Sequence, residues 1–250
     1  MKDILRAIQT LFPFLHDLRF DLKLWFIKAS KNPHENDFKA IRQFKPKKDQ
    51  VFLDIGSNRG EGIASTLACL NFDNQIIGFE PNQLVFEKLA KHFRNNSRVS
   101  VNNWGLGNKN EELILYVPFY RRWMFDGLSS FKYESAANWL KTRLWRYKEE
   151  HLQIRELKCQ IRKLDDMKLN PYFIKIDVQG FELEVLKGGE ATLKKHQPIL
   201  LIESIEEDVI DFLKVLNYSF YKFQNGKLTA GLGTLNTFCI GPSDVEILSL

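Results

Sequence analysis

The stretch VFLDIGSNRGEG, Val51 to Gly62, narrows the choice of fold more than any other part of this chain. An apolar run stops at an acid, a glycine turn follows, and ASTLACL resumes with helical spacing, so the segment reads as strand, turn and helix. Gly56 lets the backbone turn tightly and approach a ligand, and Gly60 and Gly62 permit similar approach or close helix packing. A second apolar strand, IIGF, leads to Glu80, where a carboxylate can accept both hydroxyl protons of a ribose. Together these signals imply an adenosine-bearing cofactor.

Charge decides which one. A dinucleotide site presents G-x-G-x-x-G and a helix N-terminus to a pyrophosphate, and an acid at the strand end would repel that anion. Here Asp54 holds that place and the turn reads D-x-G-x-N-x-G. S-adenosylmethionine has no phosphate; its α-ammonium and sulfonium suit Asp54 as a direct or water-mediated partner. A P-loop is excluded because the chain has no G-K-[ST]. The candidate cofactor residues are therefore Asp54, Gly56, Ser57, Asn58 and Gly60 in the turn, with Glu80, Pro81 and Asn82 after the second strand.

The α/β alternation continues beyond Glu80. NQLVFEKLAKHF is helical, VSVNN is a strand, and WGLGNKNEELILYV is a turn leading into another strand. Ligands sit beyond the carboxyl ends of such strands, which adds Asn103, Trp104 and Gly105 to the cofactor set. In YFIKIDVQGFELEVLKGGEATLKKHQPILLIES, Phe173 to Ile176 form a buried strand with Asp177 at its end. Gly180 opens a helix that stops at Gly188 and Gly189, and the last core strand, ILLIE, ends in Glu203. Asp54, Asp177 and Glu203, with Glu80 alongside, converge on the ligand edge of one sheet.

With 250 residues, 44% hydrophobic and 27% charged, the chain can bury one enzyme-sized core. A net charge of +5 is too mild to demand nucleic acid. Cys69, Cys159 and Cys239 are odd in number and far apart, which argues against a disulfide framework or zinc site and for a reducing cytoplasm. Residues 1–30 carry apolar side chains at helical spacing, with Pro13 starting or kinking a helix. Arg6, Asp17, Arg19, Asp21 and Lys23 leave no membrane span or secretion signal there. Packing on the domain or on a second subunit of a homo-oligomer is expected ahead of a membrane surface, because Asp17 and Asp21 dilute the basic face that such a helix needs. Residues 1–47 thus read as a helical extension and connector to a domain over 48–250.

The motifs FLDIGSNRGEG, IGFEPN, WGLGN, GLSSF, KLDDM, FIKIDVQGFELEVLKGG and PILLIE, in this order, resemble the FkbM family of S-adenosylmethionine-dependent methyltransferases over residues 48–206. The resemblance implies a class I methyltransferase fold: a Rossmann-like α/β, mostly parallel seven-stranded sheet with helices on both faces. It also implies O-methylation of a hydroxyl, commonly on a sugar of a glycan, glycolipid or natural product. Family sequences usually carry Glu where this chain has Gln179, which leaves Asp177 untouched.

A sugar hydroxyl is a weak nucleophile and needs a base or a metal beside it. Asp177 is the candidate catalytic base, with a role in fixing the cofactor as its near rival; His151 is the alternative base. A divalent ion between Asp177 and Glu203 is a weaker reading, and Glu182 suits a helix N-terminal charge. The segment around 118–150 departs from alternation and reads as a lid-like insertion, with Arg121, Arg122, Trp123, Ser129 and Ser130 expected to contact an anionic or sugar-bearing acceptor. Within it NWLKTRLWRY reads as an amphipathic helix burying Trp139, Leu140 and Leu144. RNA binding by stacking and phosphate contact is the rival use of that composition. IDVQG stands where a base-amine methyltransferase would show an Asp-Pro-Pro-Tyr type element, and Asp54, Gly56 and Glu80 are all retained, against a non-catalytic binding module.

Overall fold

The computed structural model describes residues 2–12 and 14–242; Pro13 lies outside them. Helices α1 (Lys2–Gln9) and α2 (Leu15–Ser30) and a 3₁₀ segment, Asn36–Gln43, precede the first core strand. The alternation then runs β1 (Val51–Ile55), α3 (Glu61–Cys69), β2 (Ile76–Phe79), α4 (Gln83–Phe93) and β3 (Val99–Asn102). Next come β4 (Gly105–Leu106), β5 (Glu111–Tyr120), β6 (Trp123–Met124), α5 (Tyr133–Asn138) and β7 (Leu152–Arg162). The chain closes with β8 (Pro171–Ile176), α6 (Glu182–Gly188), α7 (Glu190–His196), β9 (Ile199–Glu203), α8 (Glu207–Val215), β10 (Ser219–Gln224), β11 (Lys227–Ala230) and β12 (Asn236–Ile240).

The main sheet has the order β11-β10-β12-β9-β8-β1-β2-β3, parallel from β9 to β3 and antiparallel at β12. Seven strands were expected and eight are present. The extra one, β11, arises from a two-residue Asn225-Gly226 turn with φ of 54° and 81°, the all-positive geometry of a tight hairpin. Core strands are apolar on both faces because both faces are covered. Phe52, Phe173 and Leu201 pack under α2, α3, α4 and the 3₁₀ segment, while Leu53, Ile174 and Leu200 pack under α6, α7 and α8. Each such side chain contributes roughly 1.5–3 kcal/mol on burial.

A second sheet, β4-β7-β5-β6, was not anticipated. β5 and β7 pair from Glu111↔Ile161 to Tyr120↔Leu152, so residues 121–151 form the connection at the far end of a long ribbon. The expected ten-residue helix in that connection is broken. α5 ends at Asn138, a 3₁₀ turn covers Trp139–Thr142, and Arg146 has a φ of 51°. Backbone groups that would extend the helix are used by α1 instead: the Arg143 carbonyl accepts from Arg6 at 2.6 Å, and the Trp145 N–H donates to the Asp3 carbonyl at 3.4 Å. Leu140 and Leu144 are nevertheless buried as expected, against Tyr120 and Ala7, whereas Trp139 is half-buried.

Candidate active site

A cavity opens at the carboxyl edge of the main sheet, lined by Gly56, Asn58, Glu80, Gly105, Asp126 and Asp177 among others. Its enclosed interior is narrow, about 70 Å3. Gly56 has a φ of 80°, and a Cβ there would overlap the Asp177 carbonyl oxygen, so the turns after β1 and β8 can touch only through glycine. Glu80 accepts the Asn58 N–H at 2.7 Å on Oε2 and the Asn82 N–H at 2.8 Å on Oε1. Burial pushes its carboxyl up to about 7 despite those two donors, with the charges of Asp126 and Asp177 adding to the rise. The Asn58 Oδ1 atom beside it is buried and has no partner among the described residues.

Asp177 sits at the centre of a charged cluster. Lys175, two residues back on the same face of β8, places Nζ 3.0 Å from Asp177 Oδ2 and 3.8 Å from Asp54 Oδ1. Gln179, held at a φ of 53°, donates its amide to Asp177 Oδ1 at 2.8 Å. Burial alone would raise the Asp177 pKa, but the Lys175 charge and hydrogen bonds from Glu203, Gln179 and Lys175 hold it below the usual carboxylate range. Glu203 moves the opposite way, to about 8, through burial, the Asp177 charge and the hydrogen bond it shares with Asp177. At neutral pH the pair therefore holds one ionised carboxylate and one proton. Glu182 accepts from the Val178 and Gly180 N–H groups at 3.3 and 3.2 Å, which fixes the turn that carries Gln179. Among the described residues no three His, Cys, Asp or Glu are grouped to hold a metal ion.

The shared proton has a stability signature. Glu203 binds its proton more tightly folded than unfolded, so its contribution is present below about pH 4.5 and is lost as pH rises toward about 8. Asp177 acts in a separate window: its contribution is present above pH 3.8 and lost only as pH falls through its lowered folded value. Thermal melts of the wild type should therefore weaken between about pH 5 and about pH 8, and Glu203→Gln, which keeps the donor, should flatten that decline. An unchanged decline in the variant would place the proton elsewhere.

The remaining candidates divide between lining the cavity and bracing it. Pro81, Gly105 and Ser129 line it. Ser57 Oγ donates to the Asp54 carbonyl at 2.7 Å and accepts the Phe79 N–H at 3.1 Å, stapling β1 to β2. Gly60 caps α3 at a φ of 95°, Asn82 caps α4 through the Leu84 N–H at 3.0 Å, and Asn103 holds the Glu80 carbonyl at 2.9 Å. Asp54 is buried behind the turn, and neither of its carboxylate oxygens has a hydrogen-bond partner among the described residues. Burial raises its pKa, with Lys175 opposing and Asp177 adding. Trp104 stays outside the cavity, stacked under Arg162 at 4.1 Å. Arg121 and Arg122 are exposed on the β5–β6 turn and line neither this cavity nor the cleft beside it, while Trp123 is buried edge-on against His16 at 4.5 Å. Ser130 Oγ donates to the Gln179 carbonyl at 3.0 Å and borders that cleft, which also contains Glu134, Trp139, Gln179 and Glu203. His151 lies on the β7 side of the ribbon, packed edge-on against Tyr120 at 5.6 Å, and lines neither space.

Sequence reasoning missed Arg59, which is almost fully buried and joins three distant segments. It is paired with Asp126 of the insertion, bonded to Asp17 of α2 at 2.8 Å and placed 2.8 Å from His16 Nδ1. Its guanidinium also lies 4.6 Å from the Phe20 ring centroid. The only local signal was a cation inside the glycine turn; its partners are far away in the chain. Lys175 was also missed, although its i, i+2 spacing from Asp177 on a strand points to one face.

An S-adenosylmethionine requirement can be tested against this chemistry. The orphaned Asn58 amide oxygen, a buried acid at Glu80 and the absence of any G-x-G-x-x-G turn suit an adenosyl cofactor better than a pyrophosphate. The profile of the Methyltransferase FkbM domain matches residues 54–220. Among solved structures, the chain is similar to an FkbM methyltransferase from Methylobacillus flagellatus KT at 15% identity and a TM-score of 0.49, over 92% of this chain and 61% of that one. It is also similar to a putative rRNA methylase from Clostridium thermocellum (11% identity, TM-score 0.45, 84% and 95% covered). A third is fibrillarin from Aeropyrum pernix with natively bound S-adenosyl-L-methionine (10%, 0.43, 85% and 72%). No curated protein matches the chain. With the family profile covering the β1 turn, the Glu80 strand end and the Asp177 cluster alike, the chain belongs to the FkbM methyltransferases, S-adenosylmethionine-dependent enzymes with a class I, Rossmann-like fold.

Proposed function

We propose that the chain methylates a hydroxyl oxygen of a sugar or similar polyol, in a glycan, glycolipid or natural product, with Asp177 as the base. The observation that carries this reading is the Asp177 carboxylate lining the cavity, held by Lys175 at 3.0 Å and Gln179 at 2.8 Å, next to an open cleft. Gly56, Asn58, Glu80, Pro81 and Gly105 would hold S-adenosylmethionine, whose bound sulfonium supplies the methyl group. Asp177 takes the hydroxyl proton on a carboxylate oxygen, while Lys175 and Gln179 keep that carboxylate ionised and aimed. The neighbouring cleft is rich in hydrogen-bonding side chains and, among the described residues, holds one cation, Arg143, which suits a polyhydroxyl acceptor. Its Ser130, Glu134, Gln179 and Glu203 supply hydrogen-bonding groups for hydroxyls. Arg121 and Arg122 have no part in it. Three free, buried cysteines support a reducing, cytoplasmic setting.

The test is a methyl-transfer assay on glycan acceptors beside single-stranded RNA. Label should appear on hydroxyls of the glycan, and RNA should bind weakly. Salt-sensitive RNA binding with methylated RNA and unlabelled glycans would sink the proposal. Titration with S-adenosylhomocysteine separates an enzyme from a scaffold that lacks the cofactor.

A further inference from the structure

The N-terminal helices cover one flank of the site and present a second, outward face that none of the described residues covers. On α2, Leu15, Leu18, Leu22, Trp25 and Phe26 recur at i, i+3, i+7, i+10 and i+11, which is one side of a helix. All are exposed, Trp25 by 66% and Leu22 by 56%, while His16, Leu24 and Ile27 on the opposite side bury against the domain. Ile4, Leu5 and Ile8 of α1 and Leu11, Phe12 and Phe14 in the connection are exposed as well. No helix among the described residues is long and apolar enough to cross a membrane. An apolar patch this continuous marks an interaction surface.

We propose that this face seats the enzyme on an anionic lipid surface, with α1 and α2 lying in the plane of the headgroups. The sequence-level objection was that Asp17 and Asp21 would dilute the basic face. Asp17 is instead paired from the domain side with Arg59 and Lys88. Asp21 lies 3.3 Å from His92, whose pKa burial lowers, and remains one exposed acid beside the stripe. Cations border the stripe. Arg19 is exposed on α2, and Arg146 is exposed just after the Arg143–Trp145 turn that α1 holds through Arg6 and Asp3. Arg146 stacks on the half-exposed Trp145 at 4.4 Å, a cation and an amphipathic ring of the kind found at headgroup level. Apolar stripe plus flanking arginines matches lipid tails plus lipid phosphates.

The test is co-sedimentation of the full chain with vesicles of phosphatidylcholine alone or mixed with phosphatidylserine. The chain should bind the anionic vesicles, release as salt rises, and show a blue-shifted tryptophan emission when bound. Leu22→Glu with Trp25→Glu should lower the bound fraction at least ~10-fold, and Arg19→Ala with Arg146→Ala should weaken binding to the anionic vesicles alone. Both double variants should keep wild-type S-adenosylhomocysteine affinity, which separates failure of this surface from failure of the active-site reading. The idea is overturned if the wild type ignores anionic vesicles at low salt. It is equally overturned if the stripe variant binds like the wild type, or if the stripe instead holds a dimer that the variant dissolves.

Discussion

Asp177→Asn is expected to lower turnover on the order of 10²-fold or more, in the range usual for loss of a general base. Shape is kept while the ionisable oxygen is lost, and Asp177 is the group that Lys175 and Gln179 hold at 3.0 and 2.8 Å. Affinity for S-adenosylhomocysteine should change little, so binding and chemistry separate. A further readout follows from the shared proton. Much of the upward push on Glu203 comes from the Asp177 charge, so the decline in stability between about pH 5 and about pH 8 should shift to lower pH in this variant. Turnover within a few-fold of wild type would remove Asp177 from the chemistry, and a collapse of cofactor affinity would make it a binding residue. Activity lost to a chelator and restored by magnesium would favour a metal between Asp177 and Glu203 over the simple base.

Glu80→Ala should weaken S-adenosylmethionine and S-adenosylhomocysteine by roughly 1.5–3 kcal/mol, the value of hydrogen bonds to a charged group. The structure adds a reason beyond the ribose. The same carboxylate holds the backbone N–H groups of Asn58 and Asn82, so its removal leaves two donors unpaired at the floor of the cavity. Because burial places the carboxyl near 7, wild-type cofactor affinity should fall as pH drops below about 7 and the acid takes up its proton. The variant should lose that pH dependence along with the affinity. Calorimetric titration on both sides of neutrality checks both effects; wild-type affinity in the variant would refute the ribose assignment.

The amino-acid sequence by itself determined the parallel core and the edge on which a ligand sits. Strand periodicity, the Gly56 turn and acids placed at strand ends are short-range features, and backbone geometry translates them directly into local structure. The Asn225-Gly226 turn that adds the eighth strand was legible in the same way, although it was not read. Tertiary structure decided what the acids do. Whether Asp177 is ionised depends on Lys175, Gln179 and Glu203, and the Glu203 contact exists only because β8 and β9 lie side by side in the sheet. Likewise Arg59 finds its partners 42 and 67 positions away, and the breaking of the helix after Asn138 depends on α1, more than a hundred residues earlier. Arg121 and Arg122 looked like acceptor ligands because they follow a strand, yet on the β5–β6 turn they line neither the cavity nor the cleft. Periodicity is set by covalent neighbours, whereas desolvation, proton sharing and ion pairing depend on distances that only strand order and packing fix.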